Sequence, residues 1–211
     1  MLKINKLDFL ISLYIFCIIV SELMGAKTFP LIGKFSASVA IFLMPFIFTV
    51  NDIIAEVYGK ERTKSIIKSG LIMIVFLILF SFLAISLPPS QRFSENQSAY
   101  KNIFGVSIRI SISSLIAFFV AEYLDVLVFV KIREMMKEKS LWLRNNVSNF
   151  IAQFFDTSIF YLFAFYSLDK PLANNVVFLF GLIIPYWILK CLVSVFETPV
   201  VYAGVKWLKK N

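Results

Sequence analysis

Long apolar runs interrupted by single charges constrain this chain more than any other feature. Several approach or exceed the ~20 residues that a helix needs to cross a bilayer. One of them contains Leu71-Ile-Met-Ile-Val-Phe-Leu-Ile-Leu-Phe80 without a polar side chain. Of the 211 residues, 59% are hydrophobic, and the mean hydropathy is +0.83. A soluble domain is typically about 45–50% apolar. The sequence therefore predicts an all-α, polytopic membrane bundle, read as one domain over residues 1–211.

Six spans can be drawn: Phe9–Met24, Ser36–Val57, Ser69–Leu87, Val106–Val130, Asn145–Tyr166 and Val176–Trp207. The last is long enough to be tilted, or broken near Pro185 or Pro199. The first follows Lys3 and Lys6 and resembles a signal peptide at its start. Its far end, Ser21-Glu-Leu-Met24, has no small-x-small cleavage pattern, so it is expected to be retained. The third loop, about Pro88–Gly105, is polar, and Ser90–Ser98 reads as flexible. The fourth, Lys131–Leu143, reads as a cytoplasmic extension of the fourth helix.

Basic residues orient the spans. The N-terminus, the second and fourth loops and the C-terminus carry thirteen Lys and Arg, against five on the opposite side. Both termini are therefore expected in the cytoplasm. In a membrane protein a net charge of +8 sets topology rather than marking a nucleic-acid partner. Membrane lipid is the expected surrounding partner. Histidine is absent, which excludes His-based catalytic dyads, zinc sites and proton relays. Cys17 and Cys191 both sit inside apolar runs and read as small packing residues. No cofactor or metal is expected, and homo-oligomerisation is left open.

Charges inside the spans are the functional signal. One charge at the centre of a membrane helix costs about 2.5–3.5 kcal/mol on insertion scales. Arg109, Arg144 and Lys190 lie outside the loops, and Glu22, Asp52, Glu56, Glu122, Asp125, Asp156 and Glu197 lie in or at the ends of spans. That is too many for an inert anchor. At ~1.5 Å per residue, Asp156 and Lys190 fall near mid-membrane. Asp52, Glu56, Asp125, Arg144 and Glu197 fall towards the cytoplasmic side, and Glu22 and Arg109 near the outer face. Asp52 and Glu56 share a face at i, i+4, as do Glu122 and Asp125 at i, i+3, and Lys190, Ser194 and Glu197.

The fifth span carries the densest polar row. At about 100° per residue, Asn146, Asn149, Gln153, Asp156 and Thr157 fall within one arc of roughly 100°. A carboxylate in such a row has to face protein, water or a solute. Plainer readings stand beside this one. On these, Lys190 only neutralises Asp156, Arg109 only snorkels, and Asp52 and Glu56 are helix-end groups leading into Tyr58-Gly59-Lys60. Arg144, in a first helical turn, opposes the helix dipole and is expected to pair with Asp125 or Glu122. A carboxylate beside amides and a cation, walled by aromatic rings, suits a planar polar heterocycle. A guanine-like base donates two bonds from one edge to a carboxylate and accepts at its carbonyl. The same chemistry permits a vitamin or an amino acid.

Several short stretches together resemble a known family. They are Phe48-Thr-Val-Asn-Asp52 with Ile53-Ile-Ala-Glu56-Val-Tyr58-Gly59, Arg109, Leu124-Asp125-Val126, Trp142-Leu-Arg144-Asn145-Asn146, Gln153-Phe-Phe-Asp156-Thr157, and Lys190 with Pro199. In this order, across nearly the whole chain, they are similar to the queuosine-precursor transporter family, also called the putative vitamin uptake transporter family. The resemblance implies import of a 7-deazaguanine base (cyano or aminomethyl form, or queuine) across the inner membrane for tRNA modification. It implies Asp156 and Gln153 as base-reading groups supported by Asn146 and Lys190. The candidate solute site is then Asn146, Gln153, Asp156, Thr157 and Lys190. Asp52, Glu56, Arg109, Glu122, Asp125, Arg144 and Glu197 form a supporting charge network or gate. Two rival readings are a binding subunit for a vitamin-like solute that needs a separate energising module, and an aspartate-based or Mg²⁺-dependent membrane transferase. No covalent chemistry is expected.

Overall fold

Asn5 starts the first helix: its side chain accepts from the Leu7 N–H at 2.9 Å, occupying one of the donors that a helix start leaves unpaired. From there α1 runs over Lys6–Met24. Two three-residue strands follow, β1 (Thr28–Pro30) and β2 (Ser36–Ser38), which pair as a hairpin, so the fold is not purely helical. Ser38 then caps a short 3₁₀ turn, Val39–Phe42, while its hydroxyl donates to the Gly25 carbonyl at 2.6 Å. The remaining helices are α2 (Met44–Tyr58), α3 (Lys60–Ser86), α4 (Gln97–Met135), α5 (Leu141–Phe165), α6 (Leu172–Phe196) and α7 (Thr198–Lys209). This computed structural model describes residues 5–135 and 141–210, and describes no side chain for residues 122, 123, 125–130, 132–149, 194 and 195.

The chain is 84% helical. Among the described residues, five stretches are long and apolar enough to cross a membrane: Lys6–Met24, Val39–Tyr58, Lys60–Ser86, Gln91–Ala121 and Leu172–Val193. Within α5, the apolar part that is described, Phe150–Phe165, is shorter. On α3, large side chains such as Phe76, Leu79, Phe80, Phe82 and Leu83 point away from the protein, as lipid-facing residues do.

The element boundaries differ from the sequence reading at the basic run and the third loop, and agree with it at the break of the last span. The basic run Lys60, Arg62, Lys64 and Lys68 lies in α3 rather than in a loop, because α2 and α3 are joined by Gly59 alone. Gly59 has φ +83°, which a side-chain-bearing residue rarely adopts. The polar third loop folds as a 3₁₀ segment, Gln91–Asn96, leading straight into α4. The last apolar stretch is broken at Glu197. Pro199 sits in the first turn of α7, where its missing N–H costs nothing, while Pro185 remains inside α6.

By its contacts the chain divides into two compact units. The first comprises Met1–Phe29, Ser38–Ser111 and Leu192–Asn211. Its core is Leu10, Tyr14, Cys17, Ile47, Val50, Ile53, Ile54 and Ile66, from α1, α2 and α3, with α7 packed on α2. The second comprises Pro30–Ala37 and Ile112–Cys191. There α5 and α6 are joined by a short turn that Asn175 holds. Its amide donates to the Ser167 carbonyl at 2.7 Å and the Lys170 carbonyl at 3.1 Å, and its oxygen accepts from the Ser167 N–H at 3.0 Å. Trp187 ties the two helices at another level, its indole N–H donating to the Phe150 carbonyl at 3.0 Å.

Candidate functional site

In the second unit the buried positions of α5 recur at helical spacing: Thr157, Tyr161 and Ala164. Those of α6 do the same at Asn175, Leu179, Leu182, Ile183, Tyr186 and Lys190. The facing stripes are apolar apart from a few polar groups: Asn175 serves the turn, and Lys190 meets α5 at the level of Asp156. Lys190 Nζ donates to Asp156 Oδ2 at 2.7 Å. The Lys190 side chain is 10% exposed and that of Asp156 31%. The pair uses Asp156 Oδ2, and the carboxylate is only partly buried.

Aromatic rings wall this level. Lys190 Nζ stands 5.5 Å from the centre of the Tyr186 ring, within cation–π range. Tyr186 meets Tyr161 edge to face at 5.4 Å, and Tyr161 stacks on Phe165 at 5.4 Å. One turn before Thr157, Cys191 Sγ lies 3.9 Å from Gln153 Oε1, a weak thiol contact. The hydroxyls of Thr157 (1% exposed) and Tyr161 (0% exposed) have no hydrogen-bond partner among the described residues. A buried hydroxyl left unpaired costs about 1–3 kcal/mol. Two of them a turn apart on one helix face is uneconomical for packing alone.

Gln153, Asp156, Thr157 and Lys190, all named from the sequence, thus fall in one cluster on α5 and α6. Asn146 and Arg144 lie on α5, and Glu122 and Asp125 on α4, but their side chains lie outside the described residues, as does that of Ser194. Tyr161 and Tyr186 were missed by the sequence reading. Their signal was available: Tyr161 continues the Gln153, Thr157 row at i+4, and Tyr186 precedes Lys190 by four.

The other sequence candidates with described side chains lie in the first unit. Asp52 and Glu197 are hydrogen-bonded side chain to side chain. Thr49 Oγ1 donates to Glu197 Oε2 across a long 3.5 Å. A hydrogen bond between two carboxyl groups requires a proton on one of them. Neither carboxyl has a cation within ion-pair distance among the described residues. Beside them opens a cavity of about 410 Å³, lined by Thr49 and Glu197 and otherwise by apolar groups such as Leu10, Leu13 and Phe46. Glu56 and Arg109 are exposed on α2 and α4. Glu22, outside the candidate site, is only 6% exposed.

The sequence profile described as "Putative vitamin uptake transporter" matches residues 38–204. A protein of Bacillus subtilis (strain 168) named "Probable queuosine precursor transporter" is 30% identical over 197 residues, covering 93% of this chain and 83% of that protein. A protein of the same name from Haemophilus influenzae is 28% identical over 142 residues, covering 65% of this chain and 56% of that protein. No solved structure matches the chain.

Proposed function

Because the chain belongs to the putative vitamin uptake transporter family, a family of transporters rather than enzymes, and is a multi-pass membrane protein, we propose that it imports a queuosine precursor. The solute is a 7-deazaguanine base, in its cyano, aminomethyl or queuine form, carried into the cytoplasm for tRNA modification. The chain works in the inner membrane as one domain of six spans with both termini in the cytoplasm.

The observation that carries this reading is the Asp156–Lys190 pair, whose carboxylate is 31% exposed. A guanine-like edge presents a ring N–H and an amino group side by side, and a carboxylate accepts from both. Bonds to a charged acceptor are worth about 1.5–3 kcal/mol each. Lys190 then stands beside the carboxylate to balance its charge and to donate to a carbonyl on the same solute. Gln153 and Asn146 supply amide groups that read the remaining edge. Tyr186 and its neighbouring rings offer faces on which a flat heterocycle stacks. The names of the two relatives support the same solute class. Asp52, Glu56, Arg109, Glu122, Asp125, Arg144 and Glu197 serve as the supporting charge network or gate.

The test is rescue. A bacterial strain that neither makes the precursor nor has its own importer is given this gene and fed each base in turn. Queuosine should return to its tRNA with at least one base. Its absence with all of them, while the protein is present in the membrane, rejects the reading.

A further inference from the structure

We infer that Tyr161, together with Thr157, contacts the transported solute through its hydroxyl, and that both hydroxyls are held unpaired in the solute-free protein for that purpose. This inference rests on the proposed reading of the Asp156–Lys190 site and deepens it.

The two groups are among the most buried side chains of the protein, at 0% and 1% exposure, yet neither hydroxyl has a partner among the described residues. Buried polar groups are almost always bonded, and those that are not call for a reason. A threonine on a helix has a local way out, since its hydroxyl can turn back to the carbonyl four residues before. Ser158, the next residue, does so, donating to the Phe154 carbonyl at 2.7 Å. Thr157 does not. Tyr161 has no such option, and its ring is fixed between Tyr186 and Phe165, so its hydroxyl cannot swing to a new partner without breaking two ring contacts.

Position explains the pair. Thr157 and Tyr161 share a face of α5 one turn apart, turned about 100–140° around the helix from Asp156, and Tyr186 joins that face to the ion pair, its ring 5.5 Å from Lys190 Nζ and edge to face with Tyr161 at 5.4 Å. With the donor edge of the base on Asp156 and its ring against Tyr186, each hydroxyl is able to donate to a ring nitrogen or carbonyl. A solute lacking an acceptor there leaves both hydroxyls unpaired and is rejected. The hydroxyls thereby discriminate among flat rings that satisfy Asp156 equally well.

The experiment uses the purified full-length chain and a radiolabelled cyano-deazaguanine base. Binding affinity and the melting temperature without solute are measured for the natural protein, Tyr161→Phe and Thr157→Val. Both substitutions delete a hydroxyl and keep the shape. Tyr161→Phe should weaken binding about fivefold or more while the solute-free melting temperature holds or rises. Thr157→Val should do the same. Unchanged affinity in Tyr161→Phe, with the natural protein binding normally, overturns the inference and leaves the reading of Asp156 standing. A lower melting temperature in both variants also overturns it, since the hydroxyls then have structural partners. If the natural protein binds no base, the reading of the site fails and the inference falls with it.

Discussion

A carboxyl group earns its place in a membrane protein by what it is bonded to, and the two described carboxyl sites differ in that respect. Asp156 is bonded to an ammonium, whereas Asp52 is bonded to another carboxyl, Glu197. The first arrangement holds with both groups ionised; the second needs a shared proton. Glu197→Gln should therefore be nearly silent in folding, within about 0.5 kcal/mol, because the amide N–H replaces the carboxyl O–H as donor to Asp52. Glu197→Leu removes the donor and should lower the melting temperature measurably. Equal loss in both variants would show that the bond does not hold this end of α6. At this scale, depth along an apolar run was enough to single out Asp156 and Lys190, since mid-membrane charge is costly wherever it occurs. The Asp52–Glu197 bond was not legible, because it joins residues far apart in the chain. Tyr161 was hidden for another reason: a tyrosine within an apolar run reads as packing, and only the missing partner of its hydroxyl sets it apart.

The α5–α6 pair turns these residues into a site. If the ion pair is part of what holds the two helices, Lys190→Met should destabilise the protein by about 3–5 kcal/mol, because Asp156 is left charged and unpartnered. Asp156→Asn combined with Lys190→Met should recover most of that loss, a non-additivity that a double-mutant cycle on melting temperature or folded yield would read. Additive losses would mean that the pair is not coupled in the folded protein. Close approach matters at this scale too. A side chain at Gly181 would meet the Lys34 carbonyl at 2.7 Å. Gly181→Val should accordingly cost about 1–3 kcal/mol, measurable as lost folded protein, whereas an unchanged yield would place the hairpin tip away from α6. The multi-span helical character was readable from run length. The exact breaks were not, as Pro185 and Pro199 carry the same letter. What separates them is position: one stands in a first turn and the other mid-helix, where the freed carbonyl must be met by neighbours.

For the whole molecule, charge asymmetry across the spans makes an orientation testable. Reporter fusions at residues 5 and 210 should both be active on the cytoplasmic side, and opposite sides would contradict six spans. Family membership and apolar run length together account for a multi-pass transporter. The hairpin of β1 and β2 was beyond reach from sequence, because three-residue strands are too short to show an alternating pattern. The central claim is that Asp156 reads the donor edge of a deazaguanine base. Its most direct measurement is uptake of labelled base into liposomes containing only this chain, either natural or as Asp156→Asn. The account predicts saturable uptake by the natural protein and at least about tenfold less by the variant at equal folded amount, since ~1.4 kcal/mol of lost bonding is already tenfold. Equal uptake by the two would contradict it.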